Sequence, residues 1–275
     1  MTHGSEEVAA MVMGPTHAMS GAAAGLGMAA VIPASIGGPT TAVGALTFGA
    51  VTAGAALLPD IDSPQATVSR AFGFVSVGVA HAAEDAALAV YNLSKGRKDP
   101  RRRNGHRTAT HTVWFALAAG ALVGVLVDAF GKTPTIAVLF LMLGLALRGL
   151  FPKWSSSTDW LVVTAVSAAA AVAVWTWQPQ TAGAWALGTA VTVGIVAHLL
   201  GDALTKSGVP MFGGVLSING RRWWDVGLPG FLRIKANGSG DKMLLSVFTV
   251  LSCCLACLTV FDPAWLGASW PPLTG

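Results

Sequence analysis

Charge is what this chain has least of. Asp, Glu, Lys and Arg make up 11% of its 275 residues, against 53% hydrophobic, and the mean hydropathy is +0.61. A soluble domain is closer to a quarter charged, so the composition excludes an ordinary water-facing globule and points to a membrane protein. Cysteine is nearly missing too. Cys253, Cys254 and Cys257 share one apolar run, where small thiols packed within a helix explain them better than a metal or redox motif. The first fifteen residues carry Glu6 and Glu7 but no Lys or Arg, so the basic region of a cleavable signal is not expected. Long-period repeats are also absent.

Apolar runs of spanning length fill the chain instead. After an expected N-terminal tail at 1–15, Gly14-Pro15-Thr16-His17 opens a segment reaching Ile36, with Gly21 and Gly25 forming a small-residue face for close helix approach. A second segment, 41–58, runs into Leu58-Pro59-Asp60-Ile61-Asp62-Ser63-Pro64, where the prolines stop the helix. Further spans are expected at 112–130, 134–151, 159–177, 182–200 and 243–260, before a C-terminal tail at 263–275. Residues 66–93 are apolar but carry Arg70, His81, Glu84 and Asp85. An Asp at the centre of a spanning helix costs roughly 2.5–3.5 kcal/mol, so this stretch is read as a surface helix and His81-x-x-Glu84-Asp85 as its wetted face. A basic loop at 94–107 and a polar, Gly-rich loop at 203–241, with Phe212, Trp223, Trp224 and Phe231, complete the single domain expected at 16–262. The expected fold is all-α: a polytopic transmembrane helical bundle of about seven spans with one surface helix and a polar site on the cytoplasmic face.

The most informative stretch is Val196 to Pro210. His198 and Asp202 lie four residues apart and share a helix face with Thr205, because i, i+4 and i+7 stack. Imidazole and carboxylate are good ligands for a borderline divalent metal, and ionisable groups at the end of an apolar segment mark a functional site. Other segment ends supply His17, Asp60, Asp62, His106 and His111. Four imidazoles and three carboxylates exceed one tetrahedral site; they suit two divalent ions, or one ion with a generous outer shell. Singly, each of the others also reads as a cap, a helix stop or part of a charged run. With no cysteine in the set, Zn, Mn, Fe or Mg is expected rather than a thiolate zinc site. His106-Arg-Thr-Ala-Thr-His111 is expected to open a helix, with Thr108 or Thr110 as its cap.

Topology joins these pieces. The positive-inside rule puts 95–107 and 221–235 in the cytoplasm. With 66–93 not crossing, alternation of the spans brings His17, Asp60, Asp62, His106, His111, His198 and Asp202 to that same face.

The motifs Thr16-His17, Leu58 to Pro64, His106-Arg107 with Thr110-His111, and His198-Leu-Leu-Gly-Asp202 with Thr205 and Gly208-Val209 occur in this order. Together they resemble the bacterial membrane-bound metal-dependent hydrolases, the YdjM-like family, also called LexA-binding, inner membrane-associated hydrolases. The resemblance covers most of residues 16 to 245. It departs at Thr108, where the family has Gly, and at Asp241, where Glu is expected near the last span. It implies a multi-pass inner-membrane protein with a metal-dependent hydrolytic site at these His and Asp residues.

On that expectation, His17, Asp60, His106, His111, His198 and Asp202 bind the metal, whose bound water becomes the nucleophile. Asp62 is the candidate base, and Arg107 and Lys206 hold an anionic substrate, a phosphorylated or membrane-proximal ester. Expected partners are the bilayer and anionic lipid headgroups, with no nucleic acid. Two other readings remain open: a divalent-cation transporter, and a membrane binding or regulatory protein with a structural metal.

Overall fold

Small residues decide which helix sits at the centre. In chain order the helices are α1 (Gly14–Ala29), α2 (Ala42–Ala55), α3 (Gly73–Ser94), α4 (Val113–Phe130), α5 (Lys132–Leu150), the short α6 (Pro152–Ser157), α7 (Trp160–Trp177), α8 (Ala186–Ala203) and α9 (Ser239–Phe261). The structure, a computed structural model, describes residues 14–66, 68–177 and 185–262. The expected C-terminal tail, all but the last two residues of the N-terminal tail, and residues 182–184 of the expected 182–200 span lie outside the described residues. Helix α2 is Ala- and Gly-rich, and α1, α5 and α8 close around it. A side chain at Gly25 would run into Thr52 of α2, and one at Gly54 would meet the Met142 carbonyl of α5. Without side chains there, backbones pack directly and dispersion contacts replace the missing hydrophobic drive of a lipid environment. Phe48, Val51, Leu139, Met142, Val191 and Ile195 fill the core between these helices.

Helices α4, α7 and α9 form the outer layer and leave Leu122, Val125, Val162, Val247 and Val250 exposed. Apolar outside, with polar residues held inside, is the arrangement a bilayer stabilises. Among the described residues no strand forms; isolated bridges such as Val209 with Val226 only shape the polar loop. The all-α transmembrane bundle expected from sequence is the architecture observed.

Among the described residues seven helices are long and apolar enough to cross a membrane: Ala42–Asp62, Gly73–Ser94, Val113–Phe130, Lys132–Leu150, Trp160–Trp177, Ala186–Ala203 and Ser239–Phe261. This set differs from the expected spans by one exchange. Gly73–Ser94 qualifies, and the 16-residue α1 falls short although it packs between α2 and α9. The packing of α3 separates it from the other six. It rests on the turns Pro59–Asp62, Val68–Arg70 and Ala109–His111 rather than on spanning helices. Gly73 lies against Trp160 at the start of α7, the middle of α3 meets Gly105 and Thr108, and Ser94 lies beside Gly214 and Trp223 of the polar loop. Both ends of α3 therefore lie at one end of the bundle, and the helix runs across that end.

Candidate metal centre

Helix α2 ends at Ala55, four residues before the proline the sequence singles out. Pro59 has no N–H to continue the helix, so the chain tightens into the 3-10 turn Pro59–Asp62, which buries Asp60 and Asp62. The second contribution is the turn Ala109–His111, which buries Thr110 and His111. The cap of α4 is Thr112, whose hydroxyl accepts from the Phe115 amide, rather than the expected Thr108 or Thr110. Those two hydroxyls are spent elsewhere: Thr108 donates to the Gly105 and Ala87 carbonyls, and Thr110 donates to Asp62. Helix α8 delivers His198 and Asp202 one turn apart, and the first turn of α1 delivers His17. All four of His17, His111, His198 and Asp202 are fully buried.

Asp60 Oδ1, His111 Nε2 and His198 Nε2 form a triangle with sides of 3.6, 3.7 and 3.4 Å. These separations are long for hydrogen bonds, but the triangle's circumradius is about 2.1 Å, the length of a bond from imidazole or carboxylate to a divalent metal. Asp202 Oδ2 lies 3.8 Å from both of those imidazole nitrogens, and Asp202 Oδ1 lies 3.5 Å from His17 Nε2. The His17 ring stacks on His198 with centroids 3.9 Å apart. Two overlapping ligand sets result: Asp60, His111 and His198, and His17, His198 and Asp202.

Three further observations fit a cation. Both His17 nitrogens, Asp60 Oδ1 and Asp202 Oδ1 are buried without a hydrogen-bond partner, an arrangement costly unless something else satisfies them. Asp60, Asp62 and Asp202 are all buried, and Arg107 pairs with Asp202, its Nη2 2.6 Å from Asp202 Oδ2; with neutral imidazoles two negative charges are left over, and with His111 protonated one. The His198 Nδ1 is 2.8 Å from the Ala56 carbonyl, so that nitrogen carries the proton and Nε2 presents its lone pair to the site. A single lone pair serves one ion, so the two ligand sets compete for His198, and the two oxygens of Asp202 are what links them. His111 is flanked by carboxylates. Burial alone would lower its pKa, but Asp62, Asp60 and Asp202 outweigh that and hold it raised to about 9.

Not every expected ligand converges. His106 belongs to neither set; its Nδ1 bonds Asp62 Oδ1 at 2.7 Å and its side chain is 13% exposed, the most open imidazole of the group. Asp62 has both oxygens engaged, one by His106 and one by Thr110, and Thr110 lies 3.0 Å from His111 Nδ1. Asp62 thus orients two imidazoles. Lys206 is exposed, beyond the end of α8 and outside the buried cluster.

Arg102, Thr110 and Asp241 support the site in ways the sequence reading did not assign. Arg107 has φ +55°, a conformation rare for a residue with a side chain, and Arg102 Nη1 donates to the carbonyls of His106 and Arg107, clamping that turn. Nothing in the basic run distinguishes Arg102 from its neighbours. Thr110 appeared only as a cap candidate. Asp241 at the start of α9 accepts from the Thr16 hydroxyl at 2.7 Å and the Asn237 amide, fixing the turn that carries His17; the signal for it was an acid expected near the last span.

A family model described as YdjM inner membrane protein matches residues 11–151. That range carries His17, Asp60, Asp62, His106, Arg107 and His111, while His198 and Asp202 lie beyond it. No match was found among curated proteins or among solved structures.

Proposed function

Since the chain belongs to the YdjM inner membrane protein family, with several helices able to cross the membrane, we propose that it is a membrane-bound, metal-dependent hydrolase. The observation that carries this reading is the convergence of unpartnered carboxylate oxygens and imidazole nitrogens at metal-ligand spacing. Asp60, His111, His198, Asp202 and His17 hold Zn, Mn, Fe or Mg. A bound divalent ion supplies a water whose pKa is lowered towards neutrality. His106 is the general base of this proposal, taking over the role assigned to Asp62 on sequence alone. Asp62 holds the His106 Nδ1–H, so the ring's lone pair is on Nε2. Arg107 leans on Asp202 through one nitrogen and keeps a buried, unpartnered Nε, which suits a phosphate or carboxylate oxygen of the substrate. The substrate is a phosphorylated or membrane-proximal ester.

The site faces the cytoplasm. Lys95, Arg97, Lys98, Arg101, Arg103, Arg221, Arg222 and Lys235 are all exposed on the two loops at the site's end of the bundle, and cations of this kind stay on the cytoplasmic side. Transport is the lesser reading, because the ligands cluster at helix ends rather than at the centre of the spans.

Metal analysis and hydrolysis of phosphate mono- and diesters by detergent-purified protein test the proposal. His198→Ala should lose metal and turnover together. His106→Gln should keep the metal and lose roughly 10²–10⁴-fold in rate, the worth of general-base assistance. Metal-dependent cation flux in liposomes, with no ester cleaved by the wild type, overturns the enzyme reading.

A further inference from the structure

The turn that builds the metal centre has a second side. Thr110 and His111 point inward, while Ala109 and the adjoining Thr112 line a groove of about 350 Å³. Its other walls are Val90 near the end of α3, Trp114 and Ala118 on the first turns of α4, and Val215 and Trp223 of the polar loop. The volume is within the range of small-molecule sites. The lining is apolar, and Val90, Trp114, Ala118 and Val215 are exposed at the head of a helix able to cross the membrane, so the groove opens where the bundle meets lipid. Exposed cations adjoin it along the chain: Lys95 follows Ser94, and Arg221 and Arg222 precede Trp223, with Ser94 and Trp223 both in the groove wall. An apolar cleft at the membrane boundary, with exposed Lys and Arg next in the chain to its wall residues, has the chemistry to hold an anionic lipid.

We propose that this groove seats a hydrocarbon chain of an anionic phospholipid and places its headgroup beside the turn that carries His106 to His111. The substrate class is then a phospholipid. Turnover of that lipid rests on the hydrolase reading above, whereas its seating does not. A chain in the groove touches Ala109 and Thr112, on either side of Thr110 and His111, so lipid occupancy and the position of His111 are mechanically linked.

The test uses the full chain in phosphatidylcholine nanodiscs containing a few per cent of phosphatidic acid with a diazirine in its acyl chain. Photolabelled peptides are then mapped by mass spectrometry. Labelling should concentrate on residues 109–118 and 213–215 and exceed that by a phosphatidylcholine carrying the same diazirine. Ala118→Trp fills the groove from an exposed position on α4 and should cut this labelling about tenfold, the effect of losing roughly two buried methylenes, while leaving metal content unchanged. Val215→Trp, on the opposite wall, should do the same and guards against a local defect in α4. Labelling spread evenly over the outer faces of α4, α7 and α9, equal for both lipids, or undiminished in both filled variants overturns the proposal. The measurement is repeated on chelator-treated protein. There the groove labelling persists even if the chain proves to hydrolyse nothing, which keeps failure of the enzyme reading separate from failure of the lipid site.

Discussion

Asp60→Asn separates a metal ligand from a structural carboxylate by the sign of its effect. Asp60 Oδ1 is buried, has no hydrogen-bond partner, and lies 3.6 and 3.7 Å from the Nε2 atoms of His111 and His198. It is also one of three buried carboxylates, of which Asp202 is the one paired with Arg107. Near neutrality the metal-free protein still uses that charge to hold the protonated His111 beside it, but above about pH 9 the ring is neutral and Asn relieves part of the unbalanced negative potential. Above about pH 9, metal-free Asp60→Asn should therefore unfold at or above the temperature of the metal-free wild type. With metal at about 100 times the wild-type Kd, binding stabilises the wild type by about 2.7 kcal/mol. Losing a charged ligand weakens affinity by about 100-fold, so the variant is half-saturated at the same concentration and gains only about 0.4 kcal/mol. For a chain of this size these figures correspond to rises of roughly 5–10 °C against 1–2 °C. Thermal unfolding in detergent, followed by tryptophan fluorescence with chelator and with added Zn or Mn, reads both quantities. Equal metal-induced rises in the two proteins, or a metal-free variant that unfolds well below wild type above about pH 9, refutes Asp60 as a ligand.

Metal affinity should also depend on pH. His111 is raised to about 9, so near neutrality the metal-free ring carries a proton that must leave before Nε2 can ligate; affinity then rises by up to tenfold per pH unit and flattens above about 9. Titration calorimetry at pH 6.5, 7.5 and 8.5 measures the slope, and a pH-independent affinity counts against His111 as a ligand. Reporters fused after Arg103 or after Lys235 should read cytoplasmic and one at the C-terminus external, since both basic loops lie at the site's end. An external reading at either loop removes the cytoplasmic placement of the site.

Much of this site was legible because membranes make polar residues expensive. In a chain with so few charges, a His or Asp at the end of an apolar run needs a reason, and span alternation puts such residues on a common face before any packing is known. The i, i+4 spacing of His198 and Asp202 and the proline stop at Asp60 are local features, and both appear in the structure as read. What stayed hidden depends on contacts between distant segments. The inward aim of His106 towards Asp62 spans 44 residues, and Thr16 meets Asp241 across 225. Threonine in particular is ambiguous in a sequence. Thr108, Thr110 and Thr112 alternate along one turn, and each could cap a helix; only the placement of Ala87, Asp62 and the α4 amides decides which does what.

The helix at Gly73–Ser94 shows the limit from the other side. Composition and length make it a span, whereas its His81, Glu84 and Asp85 argue for the surface, and hydropathy alone cannot choose. The choice is made by what it covers. Its inner face carries the Ala87 carbonyl that accepts from Thr108, and Tyr91, whose hydroxyl donates to the Pro100 carbonyl at 2.6 Å and whose ring lies against Trp223. A helix that crossed the bilayer would carry one of its ends away from these loops. Lying across the bundle, α3 instead braces the loop that holds His106, Arg107 and His111 against the turn that holds Asp60 and Asp62. The geometry of the candidate metal centre then depends on a helix that supplies none of its His or Asp residues, because that helix packs against both turns.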